Sequence, residues 1–320
     1  MKLGVFNPVL GFMPLKEAVP YLASIGVQTM EMGAGGTCGK SHFNPAELVG
    51  HPDKIKEIKK LFADNNMGIC AISCHGNPVH PDKEVAKAYH DDFMQAMELA
   101  EELEVTKMIG FSGCPGDSEG SKYPNWVTCP WPDDFLKILD YQWEILIDYW
   151  QKTAEVAKSH GIQKIAFEMH PGFCVYNPET CLKLRAAVGD ILGANVDPSH
   201  LLWQGIDPVE AIRYLGDAVY HFHAKDTRID PANCAKNGVL DTKRYDDILG
   251  RSWSFRTVGY GNDYKKWKDI ISMLRTVGYD DAVSIEHEDG LMSPREGLEK
   301  AVAFLKEVII EETPGAMWWA

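Results

Sequence analysis

No CxxC pair and no close cysteine framework occurs among the eight cysteines, at 38, 70, 74, 114, 129, 174, 181 and 234. That disfavours zinc-ribbon and disulfide-scaffold architectures and predicts free thiols, with Cys70 and Cys74 spaced to share one face of a strand. No apolar run reaches the ~18 residues that a membrane span requires. The opening stretch MKLGVFNPVLGFMPLKEA is broken by Asn7 and Pro8, unlike the continuous apolar segment of a secretion signal. The sequence therefore predicts a cytoplasmic protein with no membrane partner. Basic residues are outnumbered, 32 Lys+Arg against 46 Asp+Glu, for a formal net charge of −14. Binding to phosphate backbones depends on clustered cations, so no nucleic-acid partner is expected. The densest basic run, Lys54 to Lys60, alternates with apolar positions as a solvated helix face does. The dinucleotide fingerprint GxGxxG is missing as well; GAGG at 33–36 follows a strand-like run and reads as a tight loop.

What is present is a repeat of period. Apolar residues make up 45% of the 320 and charged residues 24%, an ordinary globular mixture. Eight strand-like runs begin KLGVFNP, VQTMEMGAG, MGICAISCHGNP, KMIGFSGCPG, IQKIAFEMHP, LGANVDPSH, VYHFHAKD and AVSIEHED. Each is followed by a segment of helical period, such as 51–66 with its stripe of Ile55, Ile58 and Phe62, or the long stretch 134–160. Strict alternation implies a parallel sheet, and eight units favour closure, so the fold expected is α/β, a single (β/α)8 TIM barrel over residues 1–320.

Two connections exceed what a plain barrel needs. Residues 117–133 carry Tyr123, Trp126 and Trp131, and residues 227–262 carry Trp253, Phe255 and Arg256. Both follow strand C-termini, the face where barrels place their sites, so both are candidate lids whose rings either lie against a sugar or pack on themselves. The tail 313–320 ends in Met317, Trp318 and Trp319, which calls for cover by the barrel or by a second subunit, a homo-oligomer being one solution.

Buried barrel strands should be apolar, yet strands five to eight carry Glu168, Asp197, His223 and Glu286 near their C-terminal ends. Neighbouring strands lie ~4.8 Å apart, so the four side chains can surround one point. Taken singly, each reads as a hydrogen-bonded strand-end group. Together, three converging carboxylates repel unless a cation lies among them. Oxygen ligands with one imidazole suit one divalent ion, Mn²⁺, Mg²⁺ or Co²⁺, with Zn²⁺ also admissible.

Through FEMHP at 167–171, NVDPSH at 195–200, HFHAKD at 221–226 and SIEHED at 284–289, essentially the whole chain resembles the xylose-isomerase-like barrel superfamily of sugar isomerases and epimerases. Resemblance to its ketose 3-epimerases implies that Glu168, Asp197, His223 and Glu286 are the metal ligands and that His200 contacts the substrate. It further implies that Glu168 and Glu286 act as paired acid and base through an enediolate of a ketose or keto-sugar. His75, Lys225, Arg256 and Arg228 are candidate hydrogen-bond donors to the substrate. His75 and His170 also read as satisfied strand-end histidines, His221 as core or supporting residue, and Glu288 as sharing the face of Glu286. The chain departs from those epimerases in placing Arg228 five rather than six residues past the metal histidine, behind Lys225 and Asp226. Its Met-His-Pro after Glu168 and its longer 227–262 segment also differ, which leaves the sugar open.

Three other readings remain. A metal-dependent lyase resembling the C-glycoside deglycosidases would expel a substituent from a 3-keto-glycoside and would work with a small second subunit. An endonuclease IV-like nuclease would need further zinc ligands, including an Asp-x-His that AKDTRIDPANCAKNG lacks. A non-catalytic sugar-binding barrel would need no catalytic metal.

Overall fold

The period-two runs become short strands that are buried on both faces. A computed structural model describes residues 1–320. Its strands are β1 (Lys2–Phe6), β2 (Thr29–Gly36), β3 (Gly68–His75), β4 (Lys107–Gly110), β5 (Lys164–Glu168), β6 (Leu192–Val196), β7 (Val219–Ala224), β8 (Asp226–Ile229), β9 (Trp253–Arg256) and β10 (Ala282–Ile285). β1 to β7 and β10 pair in parallel and in sequence, and β10 returns to β1 to close an eight-stranded barrel. The expected (β/α)8 barrel is therefore the fold.

The helices are α1 (Leu15–Ser24), α2 (Pro45–Leu48), α3 (Pro52–Asp64), α4 (Lys83–Leu103), α5 (Asp134–Ser159), α6 (Pro178–Val188), α7 (Pro198–Trp203), α8 (Pro208–Leu215), α9 (Pro231–Asn237), α10 (Tyr264–Thr276) and α11 (Pro294–Lys306). Several begin with an Asn, Asp or Ser cap followed by Pro, whose fixed φ and missing N–H suit a first turn. The stripe Ile55, Ile58, Phe62 of α3 is buried as its spacing predicts. Apolar faces like this one meet the outer strand faces in one core of 66 buried residues. Ala71, Ile109 and Ala166 belong to a separate small cluster with Tyr220. No helix is long and apolar enough to cross a membrane, and all eight cysteines are free.

Three details depart from the sequence reading. GAGG is no separate loop: it is the end of β2, where Gly36 pairs with His75 after a register shift. Gly36 has φ +64°, and a Cβ there would lie 1.9 Å from the His75 carbonyl oxygen, so only glycine fits. The segment 227–262 is largely ordered by an antiparallel hairpin in which Asp226 faces Arg256 and Arg228 faces Ser254, with α9 between its strands. Its Trp253 stacks on Trp203 of α7 at 4.6 Å and 4°, and within the segment Tyr245 and Trp253 both pack on Phe255. The segment 117–133 is anchored on one side and exposed on the other. Gln142 of α5 ties down its backbone at Asn125, Trp126 packs edge-on against Tyr176 at 5.4 Å, and Tyr123 and Trp131 face solvent.

Candidate functional site

Parallel pairing carries the polar residues to one end of the barrel. Glu168 is the last residue of β5, and His223 sits opposite Ser284 near the end of β7. Glu286 directly follows β10 and binds back to the Ala224 carbonyl. Asp197 follows β6 as the N-cap of α7, where Oδ1 accepts the Ser199 N–H at 2.8 Å. That cap fixes its side chain and turns His200, one helical turn on, back over the barrel. Ligand atoms of Glu168, Asp197, His223 and Glu286 all lie within 4.8 Å of one another.

Two atoms in this cage have no hydrogen bond although they are buried: Asp197 Oδ2 and His223 Nδ1. Lys225 Nζ lies 3.1 Å from Asp197 Oδ2, and His223 Nδ1 lies 3.0 Å from Glu286 Oε2, but neither contact has hydrogen-bond geometry. Leaving such atoms buried and unpaired is costly. They and the carboxylates face a common point, which is what a divalent cation requires, so the residues fit one. Glu168, His170 and His200 also converge, as do Glu31, His221 and His223. In the latter group both imidazole Nε2 atoms already meet Glu31, at 2.9 and 3.0 Å.

Glu31, on β2, is the residue that the sequence reading missed. Fully buried, it accepts Ser73 Oγ at 2.5 Å and Ser284 Oγ at 2.8 Å in addition to the two histidines. Burial pushes its pKa up, but His223 and His221 outweigh that and hold it well below the carboxylate range. Its contact with Nε2 of His223 turns Nδ1 toward the cage. Glu31 stands within TMEMG on β2, separated from the cage strand β10 by β1.

The two cage glutamates are held unequally. Glu168 has a histidine against each oxygen: His75 Nε2 hydrogen-bonds Oε2 at 3.1 Å, and His200 Nε2 lies 3.0 Å from Oε1. Against burial, His200, His223 and His75 hold its pKa well below normal. Glu286 binds through Oε2 alone, to Lys225 Nζ at 2.9 Å. Its pKa, raised by burial, is drawn down to about 2, first by Lys225. Burial dominates at Asp197 and raises it, while Lys225 and His200 pull the other way. At His223 burial is outweighed by Glu31, then Glu286, and the pKa stands well above 6.5. At His75 burial is outweighed by Cys38, then Glu168, to reach about 10. At His200, burial and then His170 lower it.

The cage opens into a cavity of about 290 Å³ whose wall includes His75, Glu168, His200, Lys225, Glu286 and Glu288. Lys225 is almost fully buried and also reaches Glu288 Oε2 at 3.0 Å, an ammonium among the carboxylates as its place on the inward face predicts. His75, His200 and Lys225 thus line the cavity beside the cage. Arg256 lines a neighbouring cavity instead, with Nε held by Asp289 Oδ2 at 3.1 Å. Arg228 is solvent-exposed on β8, outside both cavities, because the chain leaves the barrel at Ala224 and the hairpin pairing directs Arg228 away. His170 lines both cavities, and His221 supports from below through Glu31.

Residues 19–308 match the family described as xylose isomerase-like TIM barrel. The uncharacterized protein YfiH of Bacillus subtilis is 42% identical over 97% of this chain and 99% of its own length. An inosose dehydratase of Clostridium perfringens is 25% identical over 80% of this chain and 82% of its own. In three dimensions, the IolI protein solved with a zinc atom superposes with a TM-score of 0.67 at 19% identity, covering 97% of this chain and 98% of that one.

Proposed function

From the premise that the chain belongs to the xylose isomerase-like TIM barrel family, we propose that it is a metal-dependent enzyme of keto-sugars or keto-cyclitols. It removes a proton beside the carbonyl and expels an oxygen substituent from the next carbon. Glu168, Asp197, His223 and Glu286 would hold the metal, Mn²⁺, Mg²⁺, Co²⁺ or Zn²⁺, which supplies a Lewis acid for the carbonyl and for the negative charge that develops on its oxygen.

The observation that carries this reading is the unequal holding of the two glutamates. Glu168, with a histidine nitrogen within about 3 Å of each oxygen, is read as a ligand only. Glu286 keeps Oε1 free of protein hydrogen bonds while Oε2 is steadied by Lys225. Oε1 takes the proton, the C–H electron pair becomes the C=C bond, and the C–O bond breaks. The departing oxygen then takes the same proton back from Glu286, so one carboxyl serves both transfers and water or an alcohol leaves. His200 and His75 face the cavity and hydrogen-bond substrate hydroxyls. The inosose dehydratase relative fits this chemistry.

Epimerisation is the second reading, favoured by the presence of both Glu168 and Glu286 in the cage. It requires Glu168 to exchange a histidine contact for a proton. Incubating the metal-loaded protein with inososes and keto-sugars in D₂O separates the two: elimination releases water or an alcohol, whereas epimerisation returns an isomer carrying one deuterium in place of hydrogen. Glu286→Gln is expected to lower either reaction by ~10³-fold or more. Unchanged turnover in that variant would remove Glu286 from the chemistry.

A further inference from the structure

The metal cavity continues sideways. A second cavity, of about 370 Å³, is walled by Tyr245, Ile248, Phe255, Arg256 and Leu291 and shares His170 and Glu288 with the first. Each alone is near the ~300 Å³ lower bound of ligand pockets, and the pair offers room for two joined rings. Their walls differ in chemistry. The first is lined by carboxylates, imidazoles and an ammonium, suited to hydroxyls and a metal. The second presents Phe255 and Tyr245, nearly parallel at 25° with centroids 5.7 Å apart, together with aliphatic Ile248 and Leu291 and one guanidinium.

Phe255 joins the two. Its ring meets His200 edge-on at 5.3 Å and lies 4.8 Å from the Lys225 ammonium. This wall is built rather than incidental. Asp226 accepts the N–H groups of Gly259, Gly261 and Asn262 and the Trp267 indole on Oδ2, and Thr227 N and Asn262 Nδ2 on Oδ1. Asp289 accepts Arg256 Nε, Thr257 N and Leu291 N, which ties the hairpin to the segment after β10. The hairpin is therefore fixed in place over the barrel mouth.

We propose that this second cavity is a subsite for a second ring of the substrate, one with an apolar face, joined to the reacting ring near His170 and Glu288. Aromatic and carbohydrate rings both have such a face; Arg256 would meet a hydroxyl or carboxylate at its far edge. The substrate class is thus a two-ring compound, a glycoside rather than a free sugar. This rests on the reaction proposed above for the choice of reacting ring, but its test reads binding and needs no turnover.

The test is equilibrium titration of the Mn²⁺-loaded protein with three unreactive ligands: methyl β-glucoside, phenyl β-glucoside and cellobiose. The expected result is that at least one of the two-ring ligands binds tenfold or more tightly than the methyl glucoside, the stronger naming the ring type. Ile248→Arg and Leu291→Arg, on half-buried and exposed wall positions, are each expected to shrink that ratio to within about threefold. Their thermal melts report that the barrel is intact. Equal affinity for all three ligands, no binding of any, or a ratio that survives both substitutions overturns the subsite. Failure of the deuterium experiment with this ratio intact would instead sink the reaction and leave the subsite standing.

Discussion

Glu31 decides what His223 can offer. An imidazole has one lone pair to give only when its other nitrogen carries the proton, and a carboxylate against that second nitrogen fixes both tautomer and ring orientation. Glu31 makes that contact at 3.0 Å and is itself steadied by two serine hydroxyls and His221. In Glu31→Gln the amide nitrogen can face an imidazole N–H, and the ring loses its preferred orientation. Mn²⁺ affinity is expected to drop by ~10–100-fold, measured by calorimetric titration. Affinity equal to wild type would mean that Glu31 only fills the barrel. The sequence hid this residue because nothing in TMEMG distinguishes an inward carboxylate paired across the barrel from one at a strand edge. The partners His221 and His223 are some 190 positions away.

At the scale of elements, the barrel was legible because each strand and helix carries its own period and its own stop signals, so eight local readings sum to one topology. The cage was legible for a related reason: a polar residue at the end of an apolar strand violates a local rule, and four violations on consecutive strands share a cause. The hairpin was not. Its strands are four residues each and pair across a gap of more than 20 residues, so no local pattern announces them. That is also why Arg228 and Arg256, which seemed equally placed on the loop, ended outside the metal cavity. What fixes the hairpin is Asp226, a buried carboxylate with six donors. Asp226→Ala strands those donors, and a loss of at least ~2 kcal/mol in denaturant unfolding is expected, with faster proteolysis in 238–250 than in wild type. If cleavage there is unchanged, the hairpin is held by Trp253 on Trp203 instead, and the clamp is secondary.

For the whole molecule, the cage ties stability to both metal and pH. Without a cation, His223 answers the surrounding carboxylates by keeping its proton, and its pKa is raised above the usual 6.5, as is that of His75, to about 10. A group raised in the folded state binds more protons there than in the unfolded chain, so its contribution is complete below 6.5 and is lost as pH rises. His170, His200, His221 and His287 are lowered, so their contribution grows up to 6.5 and is flat beyond it. The depressed carboxylates Glu31, Glu168 and Glu286 contribute at every pH above the usual carboxylate range. Between pH 6.5 and 8.5 the raised histidines of the cage lose their contribution, and the metal-free protein is expected to lose melting temperature across that window. Binding of a divalent ion at the proposed cage would displace the His223 proton, so affinity is expected to rise with pH and the ion to stabilise most where the metal-free protein is weakest. At an ion concentration of 100 times its dissociation constant the gain is ~2.7 kcal/mol, a shift of several degrees. Melting curves with Mn²⁺ and with a chelator, taken at pH 6.5, 7.5 and 8.5, should therefore diverge as pH rises. Curves that stay parallel would mean that no proton leaves the cage when the ion enters, and His223 would have to be struck from the ligands.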